Sequence, residues 1–530
     1  MMLRSTEKQL SFHSLLYDKI PQDHILKVID AAIDFSFIND YVADSYCRNF
    51  GRPAKEPEMM AKLLFLEHLY NLSDERVIQE GNFNLAFLWF LGLNPEDTLP
   101  DPSLLAKFRT QRLKEATLED ILTEIVRPCV EKGIIKGDGL SIDSTHTVAN
   151  TTKKVPERMM KHMAKRIFKG LEEDIGSVPE EIDTNIPQYT EIEDHTEAKQ
   201  VMKDYVEKTI EAAAPYAGEK TTKAIAQAEE ILSDEKFMLQ KGARSLSDPD
   251  ARVGYKSKND SFLGYKSEFT MTTDERIITA VDVHSGEYVD GKGFASLMKR
   301  TKDAGVTVRE LYGDKAYFRK DILEHLEEAK IKGYIPVSAS VYKIDEELFS
   351  YNKDSDQWFC FMGNHTVSCK KTICRNGRGE KHEQLSYLFK KEQCSTCPHR
   401  NACIGRGKKD KARKLNVSTM APVFYEKSQE QKQSEFLEKY KKRAAQEWKN
   451  GEMKRFHGMA RARGWGLRSV TFQIKLTAIA VNLKRIAALI KFSTPPVDKG
   501  KPDPSAQKTE LRIDMTAIFA LFRRKIVAVA

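Results

Sequence analysis

The stretch Tyr440–Lys454, YKKRAAQEWKNGEMK, constrains this chain more than any other. It contains no proline, a single glycine at 451 and mostly strong helix formers, so it reads as one helix. On a wheel of 100° per residue with Tyr440 at the origin, Arg443, Glu447 and Lys454 fall at about 300°, 340° and 320°. Four polar residues then share an arc of about 60°. Glu452, the nearest other carboxylate, falls at about 120°, almost opposite. A solvated helix would scatter its charges, whereas this one sets a carboxylate between two cations along one stripe.

Two further carboxylates stand where strands should end. In KGDGLSIDSTHTVAN, residues 136–150, Leu140 and Ile142 alternate with Ser141 and Asp143, as a strand with one buried face requires. Asp143 is expected near the end of that strand. In VRELYGDKAYF the strand Val308–Tyr312 leads to Gly313 and Asp314, at the strand end where α/β sheets collect ligands. Alone, Asp143 would more often cap a helix or a turn. Asp143 and Asp314 are 171 residues apart and Glu447 lies another 133 on, so only a fold could bring the three together. Oxygen ligands of this kind select Mg2+ or Mn2+.

The spacing Y-x2-R-x3-E-x6-K resembles the Tyr-Arg-Glu-Lys helix of the DDE transposases encoded by bacterial insertion sequences. The contexts I-D-S-T around Asp143 and G-D-x-x-Y around Asp314 and Tyr317 resemble that family's first and second aspartates. The resemblance implies an α/β fold with an RNase H-like mixed sheet flanked by helices. It makes Asp143, Asp314 and Glu447 the catalytic, metal-binding carboxylates. Tyr440, Arg443 and Lys454 become DNA-binding residues, with the cations on phosphates. The implied activity is metal-dependent cleavage at element ends followed by strand transfer. The implied partners are double-stranded DNA, both inverted repeats and target, and a second copy of the chain on that DNA. A nuclease that cuts without joining, or a DNA-binding protein without catalysis, are the alternatives.

The remaining sequence divides around these motifs. Residues 1–115 read as helical and resemble the family's N-terminal helical domain, which implies binding of the transposon end. Ser73 is expected to cap the helix after it, and Ser103 to cap Leu104–Leu113. Residues 116–345 and 416–495 are expected to form the RNase H-like domain. Its strands include Phe262–Met271 and Ile277–Val283, and Val470–Ile490 should be an amphipathic helix packed on the sheet. Within it, residues 153–240 read as a helical insertion, a hairpin or arm of Lys- and Glu-rich helices. Residues 496–530 read as linker and tail. His146 and His457 lie near the motifs; structural or DNA-contacting roles suit them better than ligation of Mg2+.

Residues 346–415 break the pattern as a cysteine-rich insertion holding six of the eight cysteines. Cys394-x2-Cys397-x5-Cys403 with Cys360 would offer four thiolates to a structural Zn2+; reduced thiols in a small β insert fit the same spacing. A net charge of +8 suits a polyanionic partner. No apolar run approaches the ~18 residues that cross a bilayer, and residues 1–12 lack a signal-peptide core, so a cytoplasmic protein without membrane contact is expected.

Overall fold

A computed structural model describes residues 11–47, 51–239, 243–257, 259–375, 379, 381–404 and 411–493. The expected linker and tail at 496–530 lie outside them. Among the described residues no helix is long and apolar enough to cross a membrane.

One mixed sheet organises the molecule. Its strands are β1 (Gly139–Val148), β2 (Arg252–Tyr255), β3 (Ser261–Thr272), β4 (Ile278–Ser285), β5 (Glu310–Tyr312) and β6 (Lys332–Tyr334). β3 pairs antiparallel with β1, and its other edge carries β2 and then β4. β5 lies parallel to β1, and β6 parallel to β5. The order β4-β3-β1-β5-β6, antiparallel on one side of β1 and parallel on the other, is the RNase H-like arrangement expected from the motifs. Helices Phe294–Asp303 and Lys320–Glu328 make the crossovers into β5 and β6.

β1 is the central strand, and this corrects two expectations. It is buried on both faces from Gly139 to Asp143, not on one, because helices cover the sheet on each side. Asp143 stands midway along a strand that continues to Val148, not at its end. Continued antiparallel pairing with β3, as far as Val148 opposite Gly264, carries the strand past it.

The N-terminal helices include Ile25–Ala32, Pro57–Leu69, Asp74–Gly81 and Glu115–Glu131. Ser73 does cap its helix, accepting from the Arg76 amide at 3.3 Å. Ser103 does not cap the next: the helix spans Ser103–Lys107, and the Asp101 carboxylate accepts the Ser103 amide at 2.9 Å. The helix Leu467–Ser493 is buried almost all round between Val470 and Leu483 rather than amphipathic. One continuous core joins it to N-terminal residues such as Leu63, Phe65 and Ile121 and to Phe269, Ile278 and Val281 of the sheet. Asn482 sits inside this core without penalty, because its amide donates to the Ile278 carbonyl at 2.7 Å and accepts the Ile278 amide at 2.9 Å.

The insertion after β1 is a compact unit, not an open arm. Helices Pro156–Ile175, His195–Ala213 and Glu219–Leu232 close around their own core of Met160, Met163, Ile167, Met202 and Ile231. Gly170 permits close packing here, since a Cβ on it would meet the Thr221 Cα at 2.9 Å. The cysteine-rich stretch forms two small sheets. β7 (Phe349–Asn352) pairs with β8 (Gln357–Cys360), while β9 (Thr366–Arg375), β10 (Lys381–Phe389) and β11 (Lys414–Ser418) form the other.

Candidate active site

The motif Tyr440–Lys454 is not one helix. A helix Ser434–Tyr440 ends at the tyrosine, a 3-10 turn spans Lys441–Arg443, and a second helix runs Ala444–Phe456. Residues three apart nearly eclipse in a 3-10 turn, so Tyr440 stays in line with Arg443, and the charges of Arg443, Asp314, Asp143 and Glu447 all act on its hydroxyl. Its ring stacks on Phe436, with centroids 5.9 Å apart, beside Tyr312 and Tyr334.

From Arg443 onward the stripe survives and lies along β1. Gln446 bonds to the Ser141 hydroxyl. The Arg443 Nη2 stands 3.5 Å from Asp143 Oδ2, and its Nη1 is 3.1 Å from Glu447 Oε1. Asn450 donates to Asp143 Oδ2 at 3.4 Å, and Lys454 Nζ is 3.3 Å from His146 Nδ1. Helix and strand thus run side by side, with successive turns of one meeting alternate residues of the other.

Asp314 arrives from the other flank. Ser141 of β1 is paired with Tyr312 of β5; Asp143 and Asp314 each lie two residues further on, which sets them at the same level on neighbouring chains. Asp314 also caps the turn Lys315–Tyr317, accepting the Ala316 amide at 2.8 Å. The proximity is electrostatically costly. Burial pushes Asp143 up to about 7; Arg443 opposes this, and the negative charge of Asp314 adds to it. Burial and the charge of Lys256 bring Lys454 down to about 8, while burial and Lys454 bring His146 down to about 4. His146 is therefore a neutral acceptor for Lys454 at neutral pH. His457 is structural: it is buried and bonds to the His68 carbonyl at 2.9 Å.

Asp143 and Asp314 are brought together; Glu447 is not in direct contact with them. Its side chain is 64% exposed and reaches Asp143 only through the Arg443 guanidinium. Among the described residues, no three His, Cys, Asp or Glu side chains are set to hold one metal ion. The donor chemistry of the pair nevertheless fits a hard cation: two carboxylates, one of them buried and short of positive charge. The cysteines behave similarly. Cys360, Cys394, Cys397 and Cys403 line one cavity of about 130 Å³ with His399, yet stand as free thiols without ligand geometry. The zinc expectation therefore gains a shared cavity and nothing more.

Three contacts escaped the sequence. Asn450 lies three residues after Glu447 and seven after Arg443, so the helical period could have revealed it. Its Oδ1 is buried without a partner among the described residues. Gln446 could have been found the same way. The third could not: Tyr317 stands in the G-D-x-x-Y motif, but no local pattern announces Glu268 beside its hydroxyl, whose ionisation is disfavoured by burial and by the charges of Glu268 and Asp143.

Two family models match the chain. Residues 14–111 match a transposase domain (DUF772), and residues 359–487 match a transposase DDE domain. The chain is a DDE transposase. The DDE match includes Glu447 and most of the cysteine-rich stretch, while Asp143 and Asp314 lie outside both matches. No curated protein matches this transposase. Among solved structures, a piggyBac transposase synaptic complex with hairpin DNA aligns over 93% of this chain and 88% of its own, at 9% identity and a TM-score of 0.28, a likeness too slight to carry any conclusion.

Proposed function

We propose that this transposase cuts DNA at the ends of an insertion sequence and joins the freed 3′ end to target DNA, with Asp143, Asp314 and Glu447 as its metal-binding carboxylates. The observation that carries the reading is the level placement of Asp143 on β1 and Asp314 just past the end of the parallel strand β5, with Glu447 linked to Asp143 across Arg443. Bound Mg2+ or Mn2+ would activate the attacking oxygen and stabilise the leaving one. The protein's part is to orient. Asn450 steadies one oxygen of Asp143. Arg443 and Lys454 supply positive charge on the helix face beside the carboxylates, where a DNA phosphate would lie. For Glu447 to join the aspartates, Arg443 must release it, and a DNA phosphate is the natural alternative partner for that guanidinium. Two ends must be held together for joining, so a dimer on DNA belongs to the same proposal.

A strand-transfer assay tests this directly. A duplex carrying the DNA that flanks the gene should be nicked and joined to a target plasmid when Mg2+ or Mn2+ is present. Nicking without joined product would reduce the activity to a nuclease. Absence of both, with binding intact, would leave a DNA-binding protein.

The pH dependence follows from Asp143. Its folded value, about 7, lies above the 3.8 of a free aspartate. The folded chain thus holds this proton more tightly than the unfolded chain. The resulting stability is complete below about pH 4 and is lost as pH rises through about 7. A divalent ion competes with that proton. Mg2+ should therefore raise the melting temperature more at pH 8 than at pH 6. Equal shifts at both pH values would remove Asp143 from the metal site.

A further inference from the structure

Beyond the Glu447 helix lies a segment that the catalytic reading does not use. Residues 457–468 read HGMARARGWGLR. The chain here turns at Met459 and Ala460, bridges to the end of β1 at Arg461, and bends on through Gly464 and Gly466 into the helix that starts at Leu467. The Val148 amide donates to the Ala460 carbonyl at 3.0 Å, and the Ala462 amide to the Val148 carbonyl at 2.8 Å. The buried Gln473 clamps the segment from behind, bonding to the carbonyls of Gly458 and Arg461 and to the amide of Arg463 at 2.8–3.0 Å. Gly458 has φ of +70°, and a Cβ there would meet Asn71 Oδ1 at 2.5 Å, so the turn that starts the segment requires glycine.

Ala462 is buried, while Arg461, Arg463 and Trp465 are exposed. Arg463 is committed to Glu67 at 2.6 Å and to Asn71 at 2.9 Å, which ties the segment to the N-terminal helices. The Arg461 guanidinium has no partner among the described residues. Trp465 is 60% exposed, yet its indole N–H is fixed on the Asn150 carbonyl at 3.1 Å, so the ring is presented rather than loose. Arg468 is exposed as well and borders, with Trp465 and Arg76, a cleft of about 940 Å³ against the N-terminal helices. The acids Glu67 and Asp74 in that cleft are already paired with Arg463 and Arg109; Glu75 is the exposed carboxylate there.

We propose that residues 458–468 form a second DNA-contact surface of this transposase, taking the sugar–phosphate backbone of duplex DNA six to seven base pairs from the scissile bond. The distance comes from β1. Asn150, which holds Trp465, is seven residues beyond Asp143, five of them within β1 and two past its end, so the span is at most roughly 23 Å at ~3.3 Å per residue. Duplex DNA advances ~3.4 Å per base pair, so that span is at most roughly seven pairs. Arg461 and Arg468 would meet phosphates, and the apolar face of Trp465 a deoxyribose. This rests on the transposase acting on DNA as proposed above.

The test uses the full chain and two duplexes, one carrying the DNA flanking the gene and one of random sequence. Arg461→Ala should weaken binding to both about equally and lower the slope of log Kd against log salt by about 1. Trp465→Ala should weaken binding about 10-fold. Arg461→Lys should restore the slope. Hydroxyl-radical footprints should lose protection six to seven pairs from the cut while keeping it at the cut. Melting temperatures of the variants show that each still folds. Unchanged affinity, slope and footprint in folded Arg461→Ala and Trp465→Ala would overturn the proposal and mark the surface as one for another protein. Failure of the unaltered protein to bind either duplex would overturn the function reading with it.

Discussion

Asp143→Asn should abolish DNA cleavage while leaving the metal-free protein as stable as before, or more so. The amide keeps the shape of the carboxylate and can still meet Asn450, but it cannot ionise. At the level of Asp314 it removes a negative charge that the fold holds at some cost, as the rise of Asp143 to about 7 records. Loss of a metal-binding carboxylate should lower the cleavage rate by about 10³-fold or more, since the groups that stabilise developing charge dominate such reactions. Asp314→Asn should do the same, and both variants should retain end binding, which rests on phosphate contacts elsewhere. The Mg2+-dependent rise in melting temperature at pH 8 should vanish in both. Cleavage at the unaltered rate by either variant would remove that residue from the site.

Glu452→Gln should give the opposite profile: loss of stability, with cleavage per folded molecule preserved. The helical wheel puts Glu452 away from the catalytic stripe, which suggests a mild effect. The structure changes that expectation. The Lys449 side chain is only 3% exposed and finds its partner in Glu452 at 2.8 Å; Lys484 on the long buried helix reaches the same carboxylate at 2.9 Å. Burial disfavours the charge on Glu452, but Lys449 and Lys484 prevail and carry it down to about 2. Replacing the carboxylate by an amide leaves a buried ammonium without its counter-charge. The cost should be about 3 kcal/mol. The sign of the pH dependence follows from the depressed value. The stabilisation is complete above about pH 4.5 and is lost as pH falls through about 2, worth about 2 kcal/mol after allowance for solvent screening. Denaturant unfolding at pH 7 and at pH 3 measures it: the gap between Glu452→Gln and the parent should be wide at the first and narrow at the second.

The two aspartates were legible because each sits in a short context that fixes its own backbone: alternating apolar residues for β1, and a Gly-Asp pair after three strand residues for β5. The order of the sheet follows from those elements and the hairpin between them. What the sequence could not convey was depth and tightness. β1 reads as half-buried because the helix that lies along it, Ala444–Phe456, comes about 300 residues later. The break at Lys441–Arg443 was hidden because Lys and Arg are strong helix formers, and nothing local distinguishes an α from a 3-10 turn there. Glu447 was placed correctly on the face with Arg443, and that same adjacency explains why it meets Arg443 first. Four cysteines could be nominated from spacing, but the side-chain directions that decide whether they converge on an ion depend on β7, β8 and two short helices that no periodicity resolves.

The helix Leu467–Ser493 has a consequence for how the molecule measures DNA. Its residues fill the space between the N-terminal helices and the sheet, and Arg463 clasps Glu67 just before it begins. If the N-terminal helices grip bases of the element's end, they grip them at a set interval from Asp143, and the protein acts as a ruler. Five base pairs inserted between the gripped bases and the cut would turn one to the far side of the double helix from the other, and ten would restore the facing but overshoot the length.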